Sequence, residues 1–557
     1  MKTNQAHTIA AGMHPIMMVA AGLALVASLI AGALMWEPEP LDYRSVIVQG
    51  ESSAKVLKAL ETVGGELTHS LSIINAASAR LSEEQIEAIL EQPGVTRVHD
   101  NARVETSSGD DWEPVWQFQQ AGIPYLDFPA LVEADSLHSS GVDGSGVTVA
   151  ILDSGISVAP DFSLDNDNNI RMLGLYSAIH NFEGFAFDQY GHGSHVSSIL
   201  MNSRISDTGK YNSIAPGVNV VAVKAFDENG IGSYADVILG LQWLYDHRSE
   251  HNIRVLNLSF SAEVRSHYWE DPVNQAIMRL WEAGVVVVTS SGNTGPDPMT
   301  IGVPGNLPYV ITVGAMTDNY TPTDGTDDYL ASFSSAGPTY EGFVKPEVVA
   351  PGGHLTGRTR LWSTLAQQHP EFHSFGKYFT MSGTSQAAAV VSGIAALVLQ
   401  DDPNLSPDDV KCRIMSAARP AVDAEGNLAH SIFQQGAGLV NAPGAVNSTA
   451  TGCANQGLDV SADIAGTQHY AGGARQDEDG NFYIEGMDGF YWNDGFYWND
   501  GFYWNDGFYW TDGFYWNDGF YWNDGFYWND GFYWNDGFYW SDSLSETASV
   551  STWVDQE

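Results

Sequence analysis

Val147-Thr-Val-Ala-Ile-Leu-Asp153-Ser-Gly155 is a largely apolar run that ends in a carboxylate followed by a turn. Such a run, without strict polar alternation, reads as a strand buried on both faces. Four more follow, at Val218 to Val223, Val255 to Leu258, Val285 to Thr289 and Val310 to Val313, alternating with helical patterns. That alternation, from Gly146 to about Val446, predicts an α/β domain built on a parallel sheet covered on both faces. Reactive groups in open sheets of this class gather at the carboxyl ends of strands, which makes Asp153 a candidate for chemistry. An aspartate in a turn is equally a common structural residue.

Two other stretches supply partners. Tyr190-Gly-His192-Gly-Ser-His195-Val196 opens a small-residue helical run, and the glycines on either side of His192 permit close approach to it. His195 is the competing base, expected to be structural because the glycines flank His192. Thr380-Met-Ser-Gly383-Thr384-Ser385-Gln386-Ala387-Ala388 precedes the apolar helical run Ala389 to Leu399, placing Ser385 at the mouth of a buried helix. Amides at a helix start assist anion stabilisation, although a serine there can equally be an N-cap. Peptide hydrolysis by a serine needs a nucleophilic hydroxyl, a general base, an orienting carboxylate and oxyanion donors. Ser385, His192 and Asp153 offer one candidate for each of the first three roles.

Asp-Ser-Gly at 153 to 155, Gly-His-Gly-Ser-His at 191 to 195 and Gly-Thr-Ser-x-Ala-Ala at 383 to 388 resemble the three signatures of the subtilase family, in its order. Ile214-Ala-Pro216, Val221-Ala-Val-Lys224, Val255-Leu-Asn-Leu-Ser259 and Lys345-Pro-Glu-Val-Val-Ala-Pro-Gly352 extend the resemblance across residues 133 to 446. It implies a subtilisin-like three-layer domain and a serine endopeptidase in which Ser385 attacks, His192 carries the proton and Asp153 holds the imidazole. It also assigns Asn293, in Ser-Ser-Gly292-Asn293-Thr-Gly295, to the oxyanion hole. An extended substrate would lie between Gly230-Ile231-Gly232 and Ser259-Phe260-Ser261, with Gly292 alongside. Phe260 and Ser261 stand where the family commonly has Leu-Gly or Gly-Gly, so the primary pocket is expected to be unusual. Ser194 in place of Thr and Ala389 in place of Pro are milder departures.

No cofactor is required for this chemistry. Structural calcium is a family habit, and Asp161 matches a ligand position, but the loop Met201 to Asn212 does not look like the usual calcium loop. Asp165 and Asp167, in the oxygen-rich run Asp165 to Asn169, are independent candidates, with a solvated acidic loop as the alternative.

Residues 43 to 106 read as a small α+β module. Tyr43 to Val48 is a strand, Ser53 to Val63 and Glu83 to Glu91 are helices, and Val95 to Val104 is a second extended run. Ser82-Glu-Glu-Gln85 is a capping-box pattern, and Pro93-Gly94 follows the second helix. The module resembles the subtilisin propeptide, a folding template and intramolecular inhibitor; a generic ferredoxin-like domain is the alternative. Residues 107 to 132 suit a linker holding the maturation site, 133 to 446 the catalytic domain and 447 to 486 a further linker.

In the first 36 residues only Lys2 is basic, and Ile16 to Trp36 is uncharged and nearly all apolar. This is an export signal, cleaved near Ala31-Gly32-Ala33 or retained as a membrane anchor, and the protein is expected to be secreted or bound to the cell envelope. Cys412 and Cys453 are the only cysteines, and export favours a disulfide between them over two separate thiols. The 68 acidic residues against 23 basic ones disfavour nucleic acid as a partner.

Nine copies of Gly-Phe-Tyr-Trp-Asn-Asp run from Gly489 within residues 487 to 542, with Thr511 and Ser541 replacing Asn in two copies. An acidic tail, 543 to 557, follows. Stacked rings could pack on one another or on cell-surface polysaccharide, and neutral expansion of the repeat is a third reading. A cell-surface binding protein that uses the repeat, with the protease fold as platform, is therefore the alternative function.

Overall fold

The computed structural model describes residues 43–105 and 123–484, apart from 166–167, 376 and 424–425. The stretch expected to be an N-terminal signal, the aromatic repeat and the acidic tail lie outside the described residues. Among the described residues no helix is long and apolar enough to cross a membrane.

The N-terminal module is β1 (Tyr43–Gly50), α1 (Ser53–Val63), β2 (Glu66–Leu71), β3 (Ala76–Ser82), α2 (Glu83–Leu90) and β4 (Val95–Asp100). Its antiparallel sheet has the order β2-β3-β1-β4. Ser82 and Gln85 make the capping box that opens α2. A small core of Val46, Val48, Val56, Leu60, Ala77, Ala79, Leu81 and Ile89 holds the helices to the sheet, while Ile47, Leu71, Ile74 and Ala76 are buried with the core of the larger domain. The module thus shares apolar burial with its neighbour, which offsets the marginal core of a unit this small.

The extended run expected from Val95 to Val104 is divided. After Asp100 the chain leaves the module's sheet at Asn101 and Ala102, and β5 (Arg103–Glu105) joins the larger domain. Ala235 N donates to Asn101 Oδ1 at 2.8 Å and Tyr234 N to Ala102 O at 2.8 Å, so backbone groups of the second domain stabilise the crossing.

The larger domain contains β6 (Thr148–Asp153), β7 (Met172–Ser177), β8 (Phe182–Glu183), α3 (His192–Met201), β9 (Asn219–Lys224), β10 (Ile231–Ser233), α4 (Tyr234–His247) and β11 (Ile253–Leu258). It continues through α5 (Pro272–Glu282), β12 (Val286–Ser290), β13 (Ile311–Thr317), β14 (Tyr329–Leu330), β15 (Val348–Pro351), β16 (Leu355–Arg358), β17 (His373–Phe375), β18 (Tyr378–Met381), α6 (Thr384–Asp401) and α7 (Pro407–Ser416). The main sheet runs β14-β13-β12-β11-β6-β9-β7-β8, with β15 also paired to β13. Its core pairs are parallel, as the apolar runs predict, but β8 and β14 pair antiparallel, so the sheet is mixed. These additions are two-residue strands, too short to carry a period-two signal. The buried β6 and the almost wholly buried α6 account for the apolar character of their sequences.

The described parts of two expected linkers, residues 123–132 and 447–484, are folded onto the larger domain. Phe128 and Val132 are buried in the main core, although residues 107 to 132 read as connecting chain. Residues 447 to 484 hold a helix at Val460–Ile464 and two short strands, Ala474–Gln476 and Phe482–Ile484. Buried Asp463 accepts hydrogen bonds from Tyr268 and Tyr309 at 2.7 and 2.9 Å, and Cys412 is bonded to Cys453. Tertiary partners distant in sequence make these polar stretches part of the domain.

Candidate active site

The strand ends deliver the functional groups. Asp153 closes β6, Ser259 follows β11, and Ser291 to Asn293 follow β12, all at carboxyl ends of parallel strands. His192 is the first residue of α3, and α3 packs against α6, which carries Ser385 in its first turn.

His192 Nδ1 lies 2.8 and 3.0 Å from the two carboxylate oxygens of Asp153. Both side chains are buried. Asp153 Oδ1 also accepts from Ser154 N at 2.6 Å. A Cβ added at Gly193 would meet Gly155 O at 2.2 Å and Asp153 Oδ1 at 3.1 Å, so a glycine after His192 is what lets α3 close on the aspartate loop. His192 Nε2 is buried with no hydrogen-bond partner among the described residues. It is an unused base on the side away from Asp153.

Ser385 Oγ donates to Ser259 O at 3.1 Å, and Ser259 Oγ donates to Ser385 O at 3.0 Å. Asn257 and Ser392 extend this network through 2.8 and 2.9 Å bonds. Thr384 holds Asn293: its amide and hydroxyl donate to Asn293 Oδ1 at 3.0 and 2.8 Å. The amide group of Asn293 is therefore oriented, and its Nδ2 is a buried donor with no partner among the described residues. An idealised Cβ on Gly383 would lie 3.3 Å from that nitrogen, so it faces the turn that begins the serine helix. A buried, unsatisfied donor is costly unless something arrives to accept from it, as a developing oxyanion does. We expect Asn293→Ala to lower kcat about 10²- to 10³-fold with KM little changed, measured on a peptide substrate.

His195 behaves as the sequence suggested. It is fully buried, its Nε2 is 3.0 Å from Phe379 O, and burial lowers its pKa to about 3, so it stays neutral. Three further groups position these loops. Asp188 accepts from Ser154 Oγ, Gly191 N and Ser194 N at 2.9, 2.7 and 2.8 Å, tying the aspartate loop to the start of α3. Ser154 Oγ in turn accepts from Gly193 N at 3.0 Å, and buried Lys224 donates to Ser154 O and Phe226 O, each at 2.7 Å. Ser154 and Lys224 lay inside quoted motifs without a positioning role being assigned, whereas Asp188 is recognisable only from its contacts.

Gly230, Ile231 and Gly232 form the edge expected for an extended ligand, and β5 occupies it. Arg103, Val104 and Glu105 pair antiparallel with Ser233, Gly232 and Ile231. Val104 is buried in the main core. On the other side, the Phe260 side chain is buried against Phe226, with ring centroids 5.5 Å apart. Ser261 Oγ points between two glycines: a Cβ would meet it at 3.1 Å from Gly292 and at 2.1 Å from Gly302. Gly302 was not among the residues singled out by sequence.

The calcium candidates are differently engaged. The buried Asp161 carboxylate lies 3.0 Å from the Arg358 guanidinium, which supplies a positive charge from the chain itself. Asp165 accepts from Asn169 N and Nδ2 at 2.7 and 2.9 Å, a local turn, and Asp167 lies outside the described residues. Among the described residues no three His, Cys, Asp or Glu side chains converge as metal ligands. Asp161, held by Arg358, does not fit a cation site as it stands.

The family is shown by comparison with known proteins. A model of the subtilase family matches residues 144–438, and a peptidase inhibitor I9 model matches residues 45–107. The chain belongs to the subtilase family of serine peptidases and carries an I9-type N-terminal module. It is similar to serine protease AprX of Bacillus subtilis, 37% identical over 308 residues, covering 54% of this chain and 66% of the relative. Subtilisin E of the same organism is 30% identical over 394 residues, covering 70% and 85%. The crystal structure of fervidolysin from Fervidobacterium pennivorans, described as a keratinolytic enzyme related to subtilisin, shares the fold. Its TM-score is 0.56 at 21% identity, over 74% of this chain and 62% of that one.

Proposed function

We propose that the protein is an exported serine endopeptidase made as a zymogen, with Ser385 as nucleophile, His192 as general base and Asp153 as its orienting carboxylate. The observation that carries this reading is β5 lying antiparallel on β10, together with buried His192 Nε2 and Asn293 Nδ2 atoms that have no partner among the described residues and could meet a reacting group. An extended peptide held as β5 is held presents its backbone to Ser385. The Ser385 hydroxyl turns from Ser259 O toward His192 Nε2, gives up its proton there, and Oγ bonds to the scissile carbonyl carbon. The carbonyl oxygen takes the negative charge and accepts from Asn293 Nδ2. His192 then protonates the leaving amine, and a water deprotonated by the same nitrogen releases the acyl group.

Protein and peptide chains are the substrates in this reading, and the N-terminal module is an inhibitor in cis until cut away. The apolar stretch Ile16 to Trp36 and the Cys412–Cys453 bond support export. Incubation of the purified full chain is expected to release a fragment ending between residues 105 and 123, detected by intact mass. A serine-directed phosphonate is expected to block that release; release unaffected by the reagent would reject the reading.

The Ser261 hydroxyl, aimed between Gly292 and Gly302, narrows the space for the side chain before the cut bond. Ser261→Gly is expected to raise kcat/KM for Phe relative to Ala at that position by about 10-fold, read on matched peptides.

A further inference from the structure

Next to the proposed catalytic histidine lies an exposed aromatic ladder that the reaction described above does not use. Phe185, Phe187 and Trp362 stack in sequence, with ring centroids 6.1 and 5.2 Å apart and interplanar angles of 27° and 20°. Phe185 and Trp362 are 42% and 48% exposed, and Leu361 and Val158 are exposed as well. Large apolar groups clustered in water mark a contact surface more often than isolated ones do. The Arg360 guanidinium sits over two of the rings, 4.6 Å from the centre of Phe187 and 5.0 Å from that of Trp362. Its Nε donates to Ser157 Oγ at 3.0 Å.

The ladder is tied to the catalytic loops by backbone. Ile156 N donates to Ala186 O at 2.7 Å, which joins the segment after Asp153 to the Phe185–Phe187 segment. Thr364 N and Leu365 N donate to Gln189 O and Tyr190 O, each at 3.0 Å, and Thr359 Oγ1 donates to Gly191 O at 3.2 Å. Arg360 and Trp362 are thus carried by a segment bonded directly to the residues that precede His192. Thr364 Oγ1 also donates to Glu228 O at 2.7 Å, two residues before Gly230. In the register of β5, Arg103 lies opposite Ser233 and Glu105 opposite Ile231, so the strand direction points from Ser233 toward Gly230 and Glu228. A substrate strand in the same place runs toward the ladder.

The carboxylate that acts on Arg360 is that of Asp188, with which it makes no ion pair among the described residues, in a chain with 68 acids. The neighbouring Asp188 spends its two oxygens on Ser154, Gly191 and Ser194. By sequence, Thr106-Ser-Ser-Gly-Asp110-Asp111-Trp112-Glu113 follows Glu105, so acids and an indole occur in the stretch read as holding the maturation site. A cation held between rings suits an acidic side chain with an aromatic neighbour.

We propose that Arg360, Phe187 and Trp362 form a specificity subsite that takes an acidic side chain of the peptide being cut, with an adjacent aromatic residue stacking on the ladder. The proposal rests on the peptidase reading above. The test uses the self-processed full chain and pairs of peptides that differ only as Asp against Asn, moved one position at a time past the scissile bond. At one position the Asp peptide is expected to be cut about 5-fold faster in kcat/KM, and the ratio is expected to fall as salt rises. Arg360→Gln should bring that ratio to about one, Arg360→Lys should keep part of it, and Trp362→Ala should remove any added preference for a neighbouring aromatic. Because each result is a ratio within one variant, loss of folded enzyme does not imitate it, and the salt response of the unaltered enzyme tests the charge without any variant. Equal rates for Asp and Asn at every position, or a preference unchanged in Arg360→Gln, overturns the subsite alone. Failure to cut any peptide overturns the peptidase reading and the subsite with it.

Discussion

Ser385→Ala is expected to lower kcat by about 10⁶-fold, the order found when a subtilisin loses its nucleophile, and to leave the N-terminal module attached. Both effects have one cause. The Ser385 hydroxyl, which donates to Ser259 O, is the group that forms the acyl bond in the proposed reaction, and alanine has no atom to form it. The fold should survive, because the lost hydrogen bond is a single neutral one worth about 1 kcal/mol. Intact mass and a thermal melt together check the claim. An alanine variant that still processes itself would remove Ser385 from the mechanism.

Asp153→Asn is expected to reduce kcat by about 10⁴-fold with KM nearly unchanged. The carboxylate accepts from His192 Nδ1 and so directs the free lone pair to Nε2, where the serine proton must go. An amide NH2 placed 3.0 Å from Nδ1 favours the opposite tautomer, with Nε2 already protonated, and the charge that stabilises the imidazolium is gone. The rate of modification by a serine-directed phosphonate should fall in parallel with kcat, since both report the nucleophile. A variant modified at the original rate would show that Asp153 does not set the state of His192.

The two predictions draw on sequence to different degrees. Asp153, His192 and Ser385 were legible because each ends or begins an apolar element and is flanked by small residues, a pattern local in the chain. Asn293 was legible as a family motif, but its restraint by Thr384 and its unsatisfied Nδ2 were not, because they depend on two segments 91 residues apart. Ser261 was marked as an unusual residue; that its hydroxyl faces Gly302 as well as Gly292 emerges only when the pocket walls meet. The division of Val95 to Val104 was hidden too, since both halves have strand-forming residues and only the choice of partner edge separates them.

What the sequence by itself determined is the set of elements and the chemistry at their ends. Apolar runs can satisfy their backbone and bury their side chains only as sheet strands and covered helices, and local caps mark where helices begin. Tertiary structure alone decided which of those ends converge. It placed Arg358 against Asp161, Asp188 between two catalytic loops, the stretch through Ile484 on the domain, and Arg360 among the rings beside His192. Each of these is a long-range pairing whose strength comes from burial and geometry, quantities that no residue carries alone.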